Sequence, residues 1–373
     1  MKPIRSKANR GHKPFVYVFI PYCRKHGRAE SPDYDTPATR EELTRAFDHL
    51  SLPWKWQPIT FENLESVIRE MESKKPFQES LALNFCDGDE INGFPGLSVV
   101  RKLEEAAIPF TGADTPYYQT TTSKILMKEK FNRSGVATPP YRVINEKENG
   151  VAGLCGRLGI PLIVKPAISA ASWGITLKSI VHTDEEIGKQ VEGLLKGRHG
   201  CVFLEGTIFV EKFINGPEFT ALLVGSSRKA EKIKVYPPVE RVFNNELPLI
   251  ERLLSFERYW GVYDEEPPLP SGTTLYTYRL VGDETLKKRI EDLCRRAYLS
   301  VGGCGYGRVD IRMDLETGEL YVLEVNANCG ISSDNQTSVG QILRLSGGSF
   351  SHLLGEILDE ALRRQDEGEV DRQ

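Results

Sequence analysis

Short, wholly apolar runs mark the first strands of this chain, and apolar residues recurring every third or fourth position mark its helices. Residues 15–20 (Phe-Val-Tyr-Val-Phe-Ile) read as a buried strand and 41–49 as a short helix. A second strand covers 81–85 and runs into a polar, glycine-containing loop at 86–93. Helical spacing resumes at Leu97, Val100, Leu103 and Ala106, and Ile108-Pro109-Phe110 opens another extended piece. Strands alternating with helices imply a parallel, Rossmann-like sheet within residues 1–118. Farther on, the spacing predicts a helix over 124–134, stopped by Gly135 and the Pro139-Pro140 pair. A strand at 162–165, a small-residue loop at 167–174 and a further strand at 175–180 follow. Beyond residue 202 come several strands, a helix at 285–301, a strand hairpin and a last helix at 350–363, with the polar run 363–373 expected to fray. Residues 235–271, rich in proline and aromatics, show no clear period and form a candidate loop over the site. The expected class is α/β with α+β portions, in three units: 1–118, 119–200 and 201–373.

The hairpin carries the sharpest local signal. Gly307 to Asp314 and Leu320 to Asn326 both alternate with period two around a Glu316-Thr317-Gly318 turn. Centring the turn on Thr317 sets Val309 opposite Val325, Ile311 opposite Leu323 and Met313 opposite Tyr321, an apolar face throughout. The other face then pairs Asp310 with Glu324 and Arg308 with Asn326. A one-residue slip would set apolar against polar residues and bury charge. Two opposed carboxylates repel, by about 0.2–1 kcal/mol on cross-strand scales. A hard divalent cation compensates them, and the oxygens of Asp310, Glu324 and Asn326 suit Mg²⁺ completed by phosphate oxygens and water. The competing reading is a solvated face on which Arg308 and Arg312 neutralise the acids. The short loop Ala327-Asn328-Cys329-Gly330 has the small residues expected where backbone amides approach a ligand.

Three other features are weak when taken singly. Lys165 ends an apolar strand and needs either solvent or a buried anion, because an unpaired buried ammonium is too costly. The loop from Ala167 to Gly174 is small enough to lay its amides on phosphates, and ordinary hairpins look the same. Phe209 to Ile214, then Asn215-Gly216-Pro217-Glu218, has backbone groups for a purine edge and a carboxylate for ribose hydroxyls, or is simply a strand and turn.

Composition narrows the class further. The 373 residues carry a net charge of −4, 40% hydrophobic and 27% charged residues, with no basic stripe for nucleic acid or membrane surfaces. No apolar run approaches the ~18 residues of a membrane span. Lys2, Arg5, Lys7, Arg10 and Lys13 sit in a leader without an apolar core, so a disordered leader is expected and not a signal peptide. Seven scattered cysteines (23, 86, 155, 201, 294, 304, 329) with no CxxC pair point away from disulfides and zinc and toward a reducing cytoplasm.

Taken in order, the motifs resemble the ATP-grasp superfamily, and within it the D-alanine–D-alanine ligase branch. They are Ile108-Pro109-Phe110-Thr111-Gly112-Ala113, Ser123-Lys124 with Lys128, Ile163-Val164-Lys165-Pro166, Val210-Glu211-Lys212-Phe213-Ile214, Gly216-Pro217-Glu218-Phe219-Thr220, Gly307-Arg308-Val309-Asp310, and Leu323-Glu324-Val325-Asn326 with Gly330. The resemblance covers about residues 81–360. It implies an ATP-grasp fold: a Rossmann-like first domain and two α+β subdomains gripping ATP. By matching position it implies that Lys124 and Lys165 hold phosphates, while Ser172 and Gly174 lie in the phosphate-covering loop. Glu211, Lys212 and Ile214 would line the adenine pocket and Glu218 would bind ribose. Asp310, Glu324 and Asn326 would hold Mg²⁺, or Mn²⁺ in its place, and Arg308 with the Gly330 amide would stabilise an oxyanion. The implied reaction joins a small carboxylate to an amine through an acyl phosphate, and the implied assembly is a homodimer formed through the first domain. A kinase and a non-catalytic nucleotide-binding protein are the alternatives.

The substrate end departs from that family. Pro21 to Arg28 lacks the family's glycine- and serine-bearing segment with its glutamate, and Cys86-Asp87-Gly88 replaces a histidine-glycine segment. Ala171 replaces the first of two paired serines, and Arg258-Tyr259 is the nearest match to a lysine-tyrosine on the mobile loop. Ser332-Ser333-Asp334-Asn335 also differs, leaving Asn335 or Ser338 to bind a carboxylate. The expectation is the same chemistry on other substrates, with Arg24, His26 and Arg28 as candidate anion holders at the first strand's end, unless they form a solvated basic loop.

Overall fold

The protein is described by a computed structural model covering residues 13–370 except 26–27, 32–33, 76–77, 89, 91–92, 146–149, 170, 199–202, 204–206 and 271. The side chains of 24–25, 28–30 and 367–370 are also outside the description. The basic leader up to Arg10, His26, Cys201, and the side chains of Arg24 and Arg28 therefore lie outside the described residues.

Phe15–Pro21 is the centre of a three-stranded parallel sheet, flanked by Trp54–Ile59 and Ser80–Asn84. Its side chains alternate between two cores, as strand geometry requires. Tyr17 and Phe19 join one cluster, while Val16, Val18 and Ile20 join the other. Phe110 adds a parallel bridge to Ala82. The edge strand Trp54–Ile59 was not read from the sequence; its Pro58 is tolerated only because an edge leaves one row of amides unpaired.

Tyr141–Val143, Ile208–Lys212, Leu162–Pro166 and Ile180–Val181 form a four-stranded antiparallel sheet with its own core under the helix Asp184–Lys196. That sheet therefore extends past residue 200 to Lys212. The strand expected at 175–180 is mostly a turn. Thr176 and Ser179 form a reciprocal cap around a short 3-10 helix, and only Ile180–Val181 is extended.

The largest sheet runs Tyr276–Leu280, Val239–Phe243, Glu218–Val224, Tyr306–Met313 and Leu320–Ala327, with Lys234–Val235 pairing on Glu218–Val224. The hairpin has the expected register from Gly307 to Asp310, then a bulge. Past it Ile311 faces Val322 and Met313 faces Leu320, one residue off the expected pairing with Leu323 and Tyr321. The bulge turns Val322 into the core and leaves Leu323 half-buried. The last helix, Phe350–Val370, continues seven residues past the expected stop at 363 and does not fray there. Its Leu353, Leu354, Ile357 and Leu358 pack in the cluster that holds Val16, Val18 and Ile20, tying the chain's end to the first sheet.

Candidate active site

The hairpin bulge follows immediately after the pair that matters most. Asp310 and Glu324 are register partners, as are Arg308 and Asn326. Asn326 Nδ2 donates to Asp310 Oδ2 at 3.0 Å and to Glu324 Oε1 at 3.2 Å, so one amide holds both acids. Arg308 donates to Asp310 from Nε at 3.0 Å and Nη2 at 2.8 Å, and Thr220 Oγ1 donates to Asp310 Oδ1 at 2.7 Å. Lys124, at the start of the helix Lys124–Arg133, lies 3.2 Å from Glu324 Oε2 and donates to the Ser169 carbonyl at 2.6 Å. Burial pushes the Glu324 carboxyl up, but Lys124, Arg308 and Lys165 outweigh it and hold it at about 2. Burial likewise opposes the charge on Arg308, and Asp310 more than restores it.

This face is largely withdrawn from solvent. Asp310 is 7% exposed, and Arg312 belongs to a different network, so the reading of two surface arginines neutralising the acids holds only for Arg308. Among the described residues no three His, Cys, Asp or Glu side chains gather at one point; here the third donor is an amide. Its O and N are interchangeable by a half-turn, which sets an oxygen within reach of the same point as both carboxylates. Two hard anionic oxygen donors and a neutral one fit Mg²⁺.

The lysine at the end of Leu162–Pro166 has found a buried anion. Lys165 Nζ is 2.7 Å from Glu211 Oε1, while Lys128 Nζ is 2.5 Å from Glu211 Oε2. Burial drives the Glu211 carboxyl up, and the two ammonium groups hold it below its ordinary value. Burial lowers Lys128 itself, with Glu211 opposing. Glu211, expected beside adenine, thus spends both oxygens on lysines.

Glu218 lies in a second buried cluster, bonded to Arg241 and, at 3.0 Å, to Arg312 Nε. Arg312 Nη1 also donates to the Ile214 carbonyl at 3.1 Å. Lys212 extends outward to Asp314, 3.7 Å away. Ser172 sits in the left-handed region (φ 63°), and Gly174 (φ 81°) has Phe203 and Leu194 where a side chain would go. That loop is braced from outside: Trp260 Nε1 donates to the Ala171 carbonyl at 3.2 Å, and Phe256 stacks near Trp173 with centroids 4.8 Å apart. Part of 235–271 therefore does pack on the loop 167–174, while Val239–Phe243 is a sheet strand. Arg258 is buried and bonded to Glu251 inside its own loop, so Tyr259, 45% exposed, is the only one of that pair facing out. Gly330 is exposed, with open space where a side chain would stand.

A family model described as D-ala D-ala ligase C-terminus matches residues 131–359. The D-alanine--D-alanine ligase of Acinetobacter baumannii (strain AYE) is 30% identical over 260 residues, covering 70% of this chain and 73% of that protein. The chain belongs to the D-alanine–D-alanine ligase family. The ligase of Herminiimonas arsenicoxydans is 26% identical over 304 residues, 81% of this chain and 80% of its own. Two solved structures share the fold at lower identity. D-alanine--D-alanine ligase from Bacillus anthracis complexed with ATP has a TM-score of 0.65 at 18% identity, covering 96% of this chain and all of that one (100%). VanG D-Ala:D-Ser ligase from Enterococcus faecalis has a TM-score of 0.65 at 17% identity, covering 94% of this chain and 100% of its own. This is an ATP-grasp protein and an ATP-dependent ligase forming C–N bonds from small molecules. None of its described helices is long and apolar enough to cross a membrane.

Several residues that build the ligase's site were not singled out from its sequence. Asn328 (φ 51°) accepts from the Ala113 amide at 2.7 Å, and Gly112 must be glycine because Asn328 Oδ1 occupies the place of a Cβ. Glu42 of the helix Pro37–Leu50 accepts from the Ser333 amide at 2.6 Å and from Ser332 Oγ at 2.9 Å, holding the loop past Gly330. Ser338, one of the two expected carboxylate binders, is turned to Tyr278 OH at 2.9 Å.

Proposed function

We propose that this chain is an ATP- and Mg²⁺-dependent ligase that joins two small molecules, a carboxylate and an amine, through an acyl phosphate, and that its substrates differ from D-alanine. The observation that carries the reading is the Lys124–Glu324 pair at 3.2 Å, set beside Asp310, Asn326 and Arg308. Asp310, Glu324 and Asn326 would hold the metal, whose chemistry is to withdraw charge from phosphate oxygens. Lys124 and Lys165 take the phosphates, and the loop with Ser172 and Gly174 covers them. Glu211, Lys212 and Ile214 border the adenine. Glu218 offers ribose hydroxyls the acceptor directions that Arg241 and Arg312 leave open.

In the first step a substrate carboxylate oxygen attacks the γ-phosphorus, the bond to the β-bridging oxygen breaks, and ADP leaves. An amine then attacks the acyl carbon. Electrons move onto the carbonyl oxygen, return, and expel phosphate, while the amine loses a proton. Arg308 and the Gly330 amide face the transient oxyanion, a contribution of about 3–4 kcal/mol per donor in comparable enzymes. Four cations (Lys124, Lys128, Lys165, Arg308) against three anions (Glu211, Asp310, Glu324) leave one positive charge to meet a polyphosphate.

Support for other substrates comes from the departures from the family at Pro21 to Arg28, Cys86-Asp87-Gly88 and Ser332 to Asn335. Near the carboxyl ends of the parallel strands Tyr22 bonds Asp35, and Tyr34 OH donates to Asp87 Oδ2 at 2.7 Å. The test is a screen for coupled ADP and phosphate release over D- and L-amino acids, hydroxy acids and dipeptides, with product masses. Turnover with D-alanine alone, at full rate, would overturn the substrate part. ADP without free phosphate would favour a kinase instead.

A further inference from the structure

One buried group near the proposed nucleotide end enters the mechanism above only through its charge. Lys128 is 1% exposed. It lies one helical turn after Lys124 on the same face, since residues i and i+4 align. Its Nζ forms an ion pair with Glu211 Oε2 at 2.5 Å and donates to Thr138 Oγ1 at 2.8 Å. Thr138 Oγ1 in turn donates to the carbonyl of Val322 at 2.9 Å, two residues before Glu324. The aromatic rings of Tyr141 and Phe209 stand 5.4 and 5.8 Å away.

A buried ammonium costs far more than a surface one unless it is paired and fully hydrogen-bonded. A methionine or leucine would fill this space more cheaply, so a purely space-filling role does not account for the lysine. Its distinct consequence is on Glu211. With one oxygen fixed by Lys128, that carboxylate has the other in place to receive Lys165 at 2.7 Å. Through Thr138 the same ammonium is tied to the strand that carries Glu324 and Asn326.

We propose that Lys128 is a positioning residue for ATP: by pairing with Glu211 it sets the place of Lys165 and links that lysine to the metal-carrying hairpin. The inference rests on the reading that Lys165 meets the nucleotide phosphates. Lys128, buried behind Glu211 and Thr138, acts through these two side chains.

The experiment is a double-mutant cycle read by ATP affinity and by the split between KM and kcat, in protein confirmed folded at the assay temperature. Lys128→Met raises the KM for ATP by about tenfold to a hundredfold, the loss typical of one charge-assisted hydrogen bond, and changes kcat less. Lys128→Arg, which keeps the charge, recovers most of that loss. In a Glu211→Gln background, adding Lys128→Met costs much less than it does in the parent, because the carboxylate it acts through is already neutral and only the link through Thr138 remains. That neutral pair also covers the case in which Lys128→Met alone fails to fold. Additive losses in the cycle, or a Lys128→Met enzyme with parental KM, overturn the proposal. Lys165→Met separates the two claims. If it binds ATP like the parent, the phosphate role of Lys165 fails; if it loses ATP while Lys128→Met does not, only the present inference fails.

Discussion

The two ends of the active-site region are built differently. At the proposed nucleotide end, charged groups pair with one another, across distant parts of the chain in Lys124 with Glu324 and in Lys165 and Lys128 with Glu211, and along one strand in Arg308 with Asp310. At the carboxyl ends of the parallel strands, the contacts among the described residues end on tyrosines and loop carboxylates, such as Tyr34 on Asp87 and Tyr22 on Asp35. Glu90 there caps backbone amides, of Gly96 at 3.1 Å and Ser98 at 2.6 Å. Polyphosphate and metal demand fixed charges with their counter-charges already in place, because unpaired buried charge is prohibitive. Selection between small substrates demands only shape and a few polar groups, so that end is free to vary while the chemistry stays the same.

The strongest way to break this comparison is to neutralise the metal side. Asp310→Asn with Glu324→Gln keeps every shape and removes two negative charges. ADP formation should fall by at least about a thousandfold, since one well-placed electrostatic donor alone is worth about a hundredfold to a thousandfold. The assay is coupled ADP release with Mg²⁺ saturating. Unchanged turnover would detach the site from the chemistry.

Next in size is a stability effect. Glu218 lies between Arg241 and Arg312, and all three are buried. Glu218→Gln leaves two guanidinium groups without a counter-charge and should cost about 3–5 kcal/mol, read from the denaturant midpoint. An unchanged midpoint with a raised KM for ATP would instead mean that the carboxylate serves the nucleotide and not the packing.

That cluster also explains what the sequence kept hidden. Val239–Phe243 was missed because Arg241 takes an inward position where a strand pattern leads one to expect an apolar residue, and its partner Glu218 is 23 residues away on another strand. The hairpin parity around Asp310 was legible because a slip there would bury charge. Its bulge was not legible, because Val322 and Leu323 are both apolar and either satisfies the core. Glu211 shows a similar limit. That Lys165 needed either solvent or an anion followed from an ammonium ending an apolar strand, but that an anion answered, and which one, depended on how two antiparallel strands register. The motif order disclosed the family; it did not disclose the Glu42–Ser333 and Asn328–Ala113 contacts, which join segments more than 200 residues apart.

A smaller effect is expected with pH. Glu324 in the folded chain is held at about 2, below its ordinary value near ~4.3. Folding favours its ionised form, so its contribution is complete above about pH 5 and is lost as pH falls through the ordinary value toward the folded one. In metal-free protein, Glu324→Gln should remove that part of the acid slope. The urea midpoint of the variant would drop less steeply between about pH 4 and pH 2 than the parent's. Parallel slopes would mean that Lys124 and Arg308 do not act on this carboxylate in solution.

The mildest change tests the other end. Tyr34→Phe deletes the hydroxyl that donates to Asp87 Oδ2 at 2.7 Å and leaves the ring against Phe85, centroids 5.8 Å apart. One hydrogen bond of this kind is worth about 1 kcal/mol, so the unfolding midpoint should move only slightly. If the strand ends select the substrate and the hairpin serves the nucleotide, KM for the carboxylate or amine shifts while KM for ATP stays within about twofold, a change smaller than half a kcal/mol. Equal shifts in both would show that the two ends are mechanically coupled, and that the division of labour drawn from their contacts does not survive in the working enzyme.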